Sequence, residues 1–113
     1  MVINVRTHGL SLSDALLQHL ESCLTAATRP FGSAVSGVTA RLTDINAGRG
    51  GHDKQCRLVA ALPRHKQIVT EALHADAYVS VEHSCSRLRQ AISRALGRQP
   101  RSGQRATIRF NPI

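Results

Sequence analysis

Residues 75–97, ADAYVSVEHSCSRLRQAISRALG, form the segment around which the rest of the sequence is organised. Apolar side chains recur there at steps of three and four residues, a spacing that gathers them on one side of an α-helix. This apolar stripe consists of Tyr78, Val81, Cys85, Leu88, Ile92, Ala95 and Leu96. The pattern predicts one long helix that packs on a sheet, and it favours core packing over base stacking for Tyr78.

A second stripe on the same helix is basic. Arg87, Arg94 and Arg98 are seven and four residues apart, with Gln90 between them and no carboxylate in the stripe. Exposed helices that only need solvation usually mix charge signs. The stripe therefore favours an anionic partner, with a simple solvated face as the alternative.

The composition points to a single domain with a polyanionic partner. The chain has 113 residues and carries 15 Lys and Arg against 7 Asp and Glu, a formal net charge of +8. This length is enough for one core but not for two. The charge favours nucleic acid or an anionic membrane surface. Only 3% of residues are aromatic, which argues against a protein that reads single strands by stacking many bases.

The cysteines predict neither disulfides nor metal. Cys23, Cys56 and Cys85 are odd in number, lack a Cys-x-x-Cys pair and lie within apolar stripes, which indicates core positions in a reducing cytoplasm. His19 lies four residues before Cys23 and shares a helix face with it, which gives two metal ligands at most. We therefore expect no cofactor. No apolar run approaches the roughly 20 residues that span a bilayer, and residues after Met1 lack a signal-peptide pattern.

The rest of the chain predicts a second helix and four strands. Alternating apolar residues indicate strands over 2–7, 35–44 and 53–62, and a fourth strand over 67–73 whose two faces are both partly apolar. A helix begins near Ser11 with a capping-box-like start and ends at Arg29, Pro30 and Gly32. The glycine-rich residues 44–52 predict a hairpin connection between the second and third strands.

The predicted fold is α+β with the order β-α-β-β-β-α, a four-stranded sheet with two helices packed on one face. The first strand is expected to run parallel to the second, and strands two to four form an antiparallel meander. Residues 1–97 are expected to form this domain and residues 98–113 a basic, flexible tail, in which 106–110 could add a strand to a partner or to an edge. Basic side chains are then expected on the open sheet face (Arg6, Arg41, Arg57) and near the sheet edges (Lys54, Arg64, Lys66).

No catalytic arrangement is visible. The seven acidic residues do not cluster in a loop, and no Ser-His-Asp, Cys-His or paired-carboxylate set can be picked out. The segment Gly50-Gly51-His52 resembles the Gly-Gly-Gln loop of peptide release factors but lacks the glutamine. We expect a protein that is not an enzyme and has no small-molecule substrate.

Residues 2–98 resemble the hibernation-promoting factor family of ribosome-associated proteins, also called sigma modulation proteins. The most specific part is DAYVSVEHSCSRLRQAISRAL, in which Asp76, Tyr78 and Glu82 and the later Arg87-Leu88 match the family pattern of D-x-Y-x-A-I-D followed by K-L. Val81-Glu82 replaces Ile-Asp, and spaced arginines, Arg94, Arg98 and Arg101, replace clustered lysines. The chain ends before the separate C-terminal domain of long members, so the resemblance is to the short type.

The resemblance implies a cytoplasmic protein that binds the decoding groove of the small ribosomal subunit in stress or stationary phase. Binding to rRNA phosphates through residues such as Arg87 and Arg94 would block mRNA and tRNA sites and inhibit translation. The free protein is expected to be a monomer that does not bind membranes. The alternative is a general module for double-stranded or structured RNA, which has a similar helix-and-sheet outline.

Overall fold

A computed structural model describes residues 1–45 and 54–97, and these form two helices and four strands in the predicted order. The strands are β1 (Val2–His8), β2 (Gly37–Asp44), β3 (Lys54–Ala61) and β4 (Ile68–His74), and the helices are α1 (Asp14–Thr28) and α2 (Ala77–Gly97). A 3-10 helix (Arg29–Ala34) follows α1. The α+β fold predicted from the sequence is confirmed.

The sheet has the strand order β1-β2-β3-β4. β1 pairs with β2 in parallel, and β2 with β3 and β3 with β4 in antiparallel fashion. The alternation read from the sequence is confirmed in β2 and β3, where Val38, Ala40, Leu42, Cys56, Leu58 and Ala60 are all buried. One face of the sheet therefore forms the core with the helices, and the other face stays open.

Helix α1 is capped two residues later than the sequence pattern suggested. Ser13, not Ser11, is the N-cap, and its side-chain oxygen accepts a hydrogen bond from the Leu16 N–H at 3.1 Å. Ser13 satisfies one of the N–H groups that have no partner inside the helix. Leu20 and Leu24, one turn apart, are fully buried. The helix ends at Thr28, as the following Arg29 and Pro30 predicted.

Helix α2 begins at Ala77, and the Asp76 carboxylate accepts a hydrogen bond from the Tyr78 N–H at 2.8 Å. Leu88 and Ile92 are fully buried, as the apolar stripe predicted. Tyr78 is an exception, because its side chain is 38% exposed. Its ring lies 5.1 Å from the His19 ring of α1, centroid to centroid. The prediction that Tyr78 packs in the core was wrong, since this first turn of α2 meets α1 at the surface.

The contact between α2 and β4 decides which face of β4 is buried. Ser84 of α2 is fully buried, and the Thr70 hydroxyl of β4 donates a 3.1 Å hydrogen bond to its carbonyl oxygen. Thr70 therefore faces the helices together with Ile68 and Ala72. Since successive residues of a strand alternate between faces, Glu71 lies on the open face. The sequence had left both assignments of this strand open.

Two predicted features fall wholly or mainly outside the described residues. The first is the hairpin connection between β2 and β3: its glycines, Gly48, Gly50 and Gly51, lie within residues 46–53, which the structure does not describe. The two strands that it joins are antiparallel neighbours, as the pairing of Asp44 with Lys54 shows. The second is the proposed tail, residues 98–113, which includes Arg98 and also lies outside the described residues.

The buried thiols should make the protein sensitive to alkali. Burial raises the pKa of Cys56 from 9.0 to about 12, and burial also raises the pKa of Cys85. The unfolded chain therefore loses these protons at a lower pH than the folded chain. The stabilising effect is fully present below pH 9.0 and is lost as the pH rises towards the folded pKa.

We expect the free energy of unfolding to fall between about pH 9 and 11 by up to about 1.4 kcal/mol per pH unit for each thiol. Urea unfolding curves across this range measure the decline. Cys56→Ala removes one titrating group, and its curve should decline less steeply than that of the wild type. Equal slopes would contradict the assignment to Cys56.

Candidate nucleic-acid interface

Three arginines form a row across the open face of the sheet. The strand register places Arg6 of β1 opposite Arg41 of β2, and Arg41 opposite Arg57 of β3. Neighbouring strands are about 4.8 Å apart, so the three Cα atoms span roughly 10 Å. All three residues are exposed. The arginine row (Arg6, Arg41, Arg57) was predicted from strand alternation, and the register confirms that the three lie on one face.

The arginine row is unfavourable for stability. Like charges directly opposite each other on adjacent strands are destabilising. Arg41 lies between two other arginines. The side chains line a shallow depression together with Thr39 and Val59. A surface of this kind can bind an anionic chain, because each guanidinium presents several donors to phosphate oxygens.

Glu71 ends the arginine row and connects it to α2. It lies opposite Arg57 in the register, and its carboxylate accepts a hydrogen bond from Arg57 at 3.1 Å. Its main-chain carbonyl oxygen accepts a hydrogen bond from Arg87 of α2. Glu71 therefore holds one arginine of the sheet and one of the helix near the same strand. No sequence pattern indicated this role, since the orientation of β4 was undecided.

Helix α2 presents arginines on two of its flanks. Arg87 and Arg94 are seven residues apart, about two helical turns, and so lie on the same side, towards β4. Arg89 lies only two residues after Arg87, on the flank towards α1, where it borders a groove with Cys23 and Ala26. Arg89 was missed from the sequence. Its position does not share the three-, four- and seven-residue spacing of the basic stripe.

Lys54 does not join the arginine row. It has the same strand parity as buried Cys56 and therefore lies on the helix side of the sheet. Its amine forms an ion pair with the buried Asp44 carboxylate at 3.2 Å. The sequence placed Lys54 near an edge of the open sheet face, whereas it lies at the start of the inner strand β3, and its charge is balanced by Asp44.

Arg64 and Lys66 lie in the turn between β3 and β4, at the end of the sheet opposite to Lys54. Both are exposed. Arg64 lines a cleft with Phe31 and Leu96. The structure therefore brings together Arg6, Arg41 and Arg57, links Arg87 to them through Glu71, and leaves Arg64 and Lys66 at a separate end.

The described residues contain neither a metal cluster nor a membrane-spanning helix. Within residues 1–45 and 54–97, no three His, Cys, Asp or Glu side chains are grouped closely enough to hold a metal ion. His19 and Cys23 do share a face, with 3.7 Å between Nε2 and Sγ, but His19 also contacts Glu82 at 3.1 Å. In the same part of the chain, both helices are too short or too polar to cross a bilayer.

A sequence profile of the sigma 54 modulation protein / S30EA ribosomal protein family matches residues 3–99. The chain belongs to this family. The resemblance noted from the α2 sequence is thereby confirmed, and the match covers every described strand and helix except Val2, the first residue of β1. Comparison with curated protein sequences gives no match.

Two solved structures of similar fold are a ribosomal subunit interface protein from Coxiella burnetii and the N-terminal domain of Protein Y from Thermus thermophilus. The first is 20% identical, with a TM-score of 0.75 over 87% of this chain and 100% of that chain. The second is 21% identical, with a TM-score of 0.69 over 84% of this chain and 99% of that chain. At these identities the likeness establishes a shared fold.

Proposed function

We propose that this protein is a ribosome hibernation factor that binds the small ribosomal subunit through rRNA phosphates. The arginine row carries the proposal. Glu71 balances the charge of Arg57 in part, but Arg41 has an arginine opposite it on both sides, which costs stability unless an anionic ligand binds there. Membership of a ribosomal protein family, and the fold shared with a ribosomal subunit interface protein from Coxiella burnetii, support rRNA as that ligand.

The binding surface in this proposal combines the open sheet face with the β4 flank of α2. Arg57 and Arg87 are held near each other by Glu71, through its carboxylate and its carbonyl oxygen respectively. Arg94 extends the surface by two helical turns. Phosphates held on this surface would seat the domain in the decoding groove, where it excludes mRNA and tRNA. Inhibition in the cytoplasm under stress then follows from occupancy, without catalysis.

The experiment measures binding of the full chain to purified small subunits at several salt concentrations. If about five basic residues meet phosphates, the logarithm of affinity falls against the logarithm of salt with a slope of roughly −3.5 to −4.5. In a cell-free translation system, inhibition should follow occupancy, and a high-salt wash should restore activity. A flat salt response would rule out phosphate binding, and rRNA cleavage that survives the wash would indicate an enzyme.

A control distinguishes this function from general RNA binding. The same binding measurement is made with a fully paired RNA duplex that lacks ribosomal sequence, at the same nucleotide concentration as the small subunits. A ribosome-specific factor should bind small subunits far more tightly than the duplex at about 0.1–0.2 M salt, where non-specific phosphate contacts are weakened. Equal affinities would favour the general RNA-binding module.

A further inference from the structure

A cleft lies where three segments meet at one end of the sheet. Its walls come from the 3-10 helix (Phe31, Ser33), the turn after β3 (Pro63, Arg64, His65) and the last turn of α2 (Leu96). Phe31 and Leu96 are half-buried, and each packs against the core. One side of each residue is therefore anchored, and the other is available to a ligand.

The backbone fixes both rims of this cleft. The His65 N–H donates to the Leu62 carbonyl oxygen at 2.9 Å and closes the turn that carries Arg64. On the opposite rim, Gly32 has a φ of 51°, a conformation that favours glycine, and it directs the chain from Phe31 into Ser33. The Val35 N–H donates to the Gly32 carbonyl oxygen at 3.3 Å. The cleft is thus formed before a ligand binds.

The lining combines a flat apolar wall with basic groups. Phe31 is one of only two phenylalanines in the chain, and Pro63 and Leu96 extend its apolar surface. Arg64 and His65 stand at the rim, and among the residues that the structure describes no acidic side chain lines the cleft. A purely apolar ligand would make no use of Arg64, and an inorganic anion would make no use of Phe31. A ligand that matches both has a flat ring joined to a phosphate.

We propose that this cleft binds a nucleotide, with the base against Phe31 and the phosphate next to Arg64. The site goes beyond the proposed ribosome function and does not depend on it. The cleft is also separate in space from the arginine row. Arg41 lies on the open face of the sheet, whereas Phe31 and Leu96 pack against the core on the helix side. The nucleotide is either free or an unpaired residue of an RNA strand, and one stacking position is consistent with a chain so poor in aromatic residues.

The test uses the full-length chain labelled with ¹⁵N and titrated with AMP. Amide signals of the residues around the cleft should shift, and adenosine or inorganic phosphate alone should bind more weakly than AMP. Phe31→Leu keeps apolar packing but removes the ring, and it should weaken AMP binding at least about fivefold, the lower end of what one stacked base contributes. Arg64→Gln should weaken AMP binding without weakening adenosine binding.

Arg41→Gln is the matched control, because it removes the same charge from the other face. It should leave AMP affinity unchanged while weakening small-subunit binding, so failure of the cleft proposal and failure of the ribosome proposal give different results. The trinucleotide ApApA distinguishes a free nucleotide from an RNA strand as the ligand. If ApApA binds more tightly than AMP through the same residues, the ligand is an RNA strand. If ApApA and AMP bind equally, the ligand is a free nucleotide. The proposal would be overturned if AMP shifted no amide signals, or if both cleft variants bound AMP with unchanged affinity. If Phe31→Leu unfolds the protein, Arg64→Gln still provides the test, because Arg64 is exposed and its replacement should not affect folding.

Discussion

Replacing Arg6, Arg41 and Arg57 with glutamine should weaken binding to small ribosomal subunits about 100- to 500-fold at 0.1 M salt. Each lost phosphate contact reduces the salt slope by about 0.7 to 0.9, so three contacts reduce it by about 2.1 to 2.7. Because 0.1 M salt is one logarithmic unit below 1 M, a slope change of this size lowers the affinity at 0.1 M by about 100- to 500-fold. Filter binding or sedimentation of the full chain with subunits measures both quantities.

The same triple variant should be at least as stable as the wild type. Exposed substitutions usually change the free energy of unfolding by about 0.5 kcal/mol or less. Here the change removes like charges that lie opposite each other on adjacent strands, and this gain offsets the small loss of the exposed Arg57–Glu71 ion pair. Loss of binding with an unchanged or higher thermal midpoint would show that the arginine row serves binding and not folding. A fall of several degrees in the midpoint would contradict this interpretation.

Single substitutions provide the controls for the arginine row. Arg41→Gln should cost about five- to eightfold in affinity at 0.1 M salt. Arg29→Gln removes the same charge from an exposed position in the 3-10 helix and should change affinity less than about twofold. Glu71→Gln should act in the opposite direction, because it removes the carboxylate that competes with phosphate for Arg57. Equal losses for Arg41→Gln and Arg29→Gln would mean that only net charge matters.

Most of the fold could be predicted because the apolar residues change period along the chain. Apolar residues at every second position in 35–44 and 53–62 indicated β2 and β3, and apolar residues three and four positions apart indicated both helices. Arg6, Arg41 and Arg57 could be placed on the open face, because alternation fixes the faces of a strand once the apolar face is known. Their alignment in one row could not be predicted, since it depends on the register between strands.

The errors have local physical causes. Both faces of β4 are partly apolar, so its sequence could not show that Thr70 faces α2 and Glu71 faces solvent. Ser84 looks like a surface residue in sequence, yet it is fully buried, and its hydroxyl lies within hydrogen-bonding distance of the Thr70 hydroxyl at 3.2 Å. Tyr78 fits the spacing of the apolar stripe but lies in the first turn of α2, beside His19 of α1. Periodicity identifies a helix face but not where along the helix that face is covered.

The contact between α2 and the sheet predicts the largest single effect on stability. Leu88 is fully buried and lies midway along α2, within the core formed with β3 and β4. Leu88→Ala should reduce the free energy of unfolding by about 2–5 kcal/mol, since the change loses buried apolar surface and leaves a cavity. Domains of this size have a total of about 5–15 kcal/mol, so the loss is a large fraction of it.

Leu73→Ala is the matched control for Leu88→Ala, because it makes the same chemical change on the open face of β4. Leu73 is 47% exposed, and its truncation should change the free energy of unfolding by only about 0.5 kcal/mol. Urea unfolding followed by circular dichroism gives both values, with equal slopes indicating comparable unfolding transitions. Similar losses for the two variants would contradict the assignment of the core to the helix side of the sheet. A large loss at Leu88 alone also explains why α2 can carry Arg87 and Arg94, since its apolar stripe fixes the helix on the sheet and leaves these arginines outside the core.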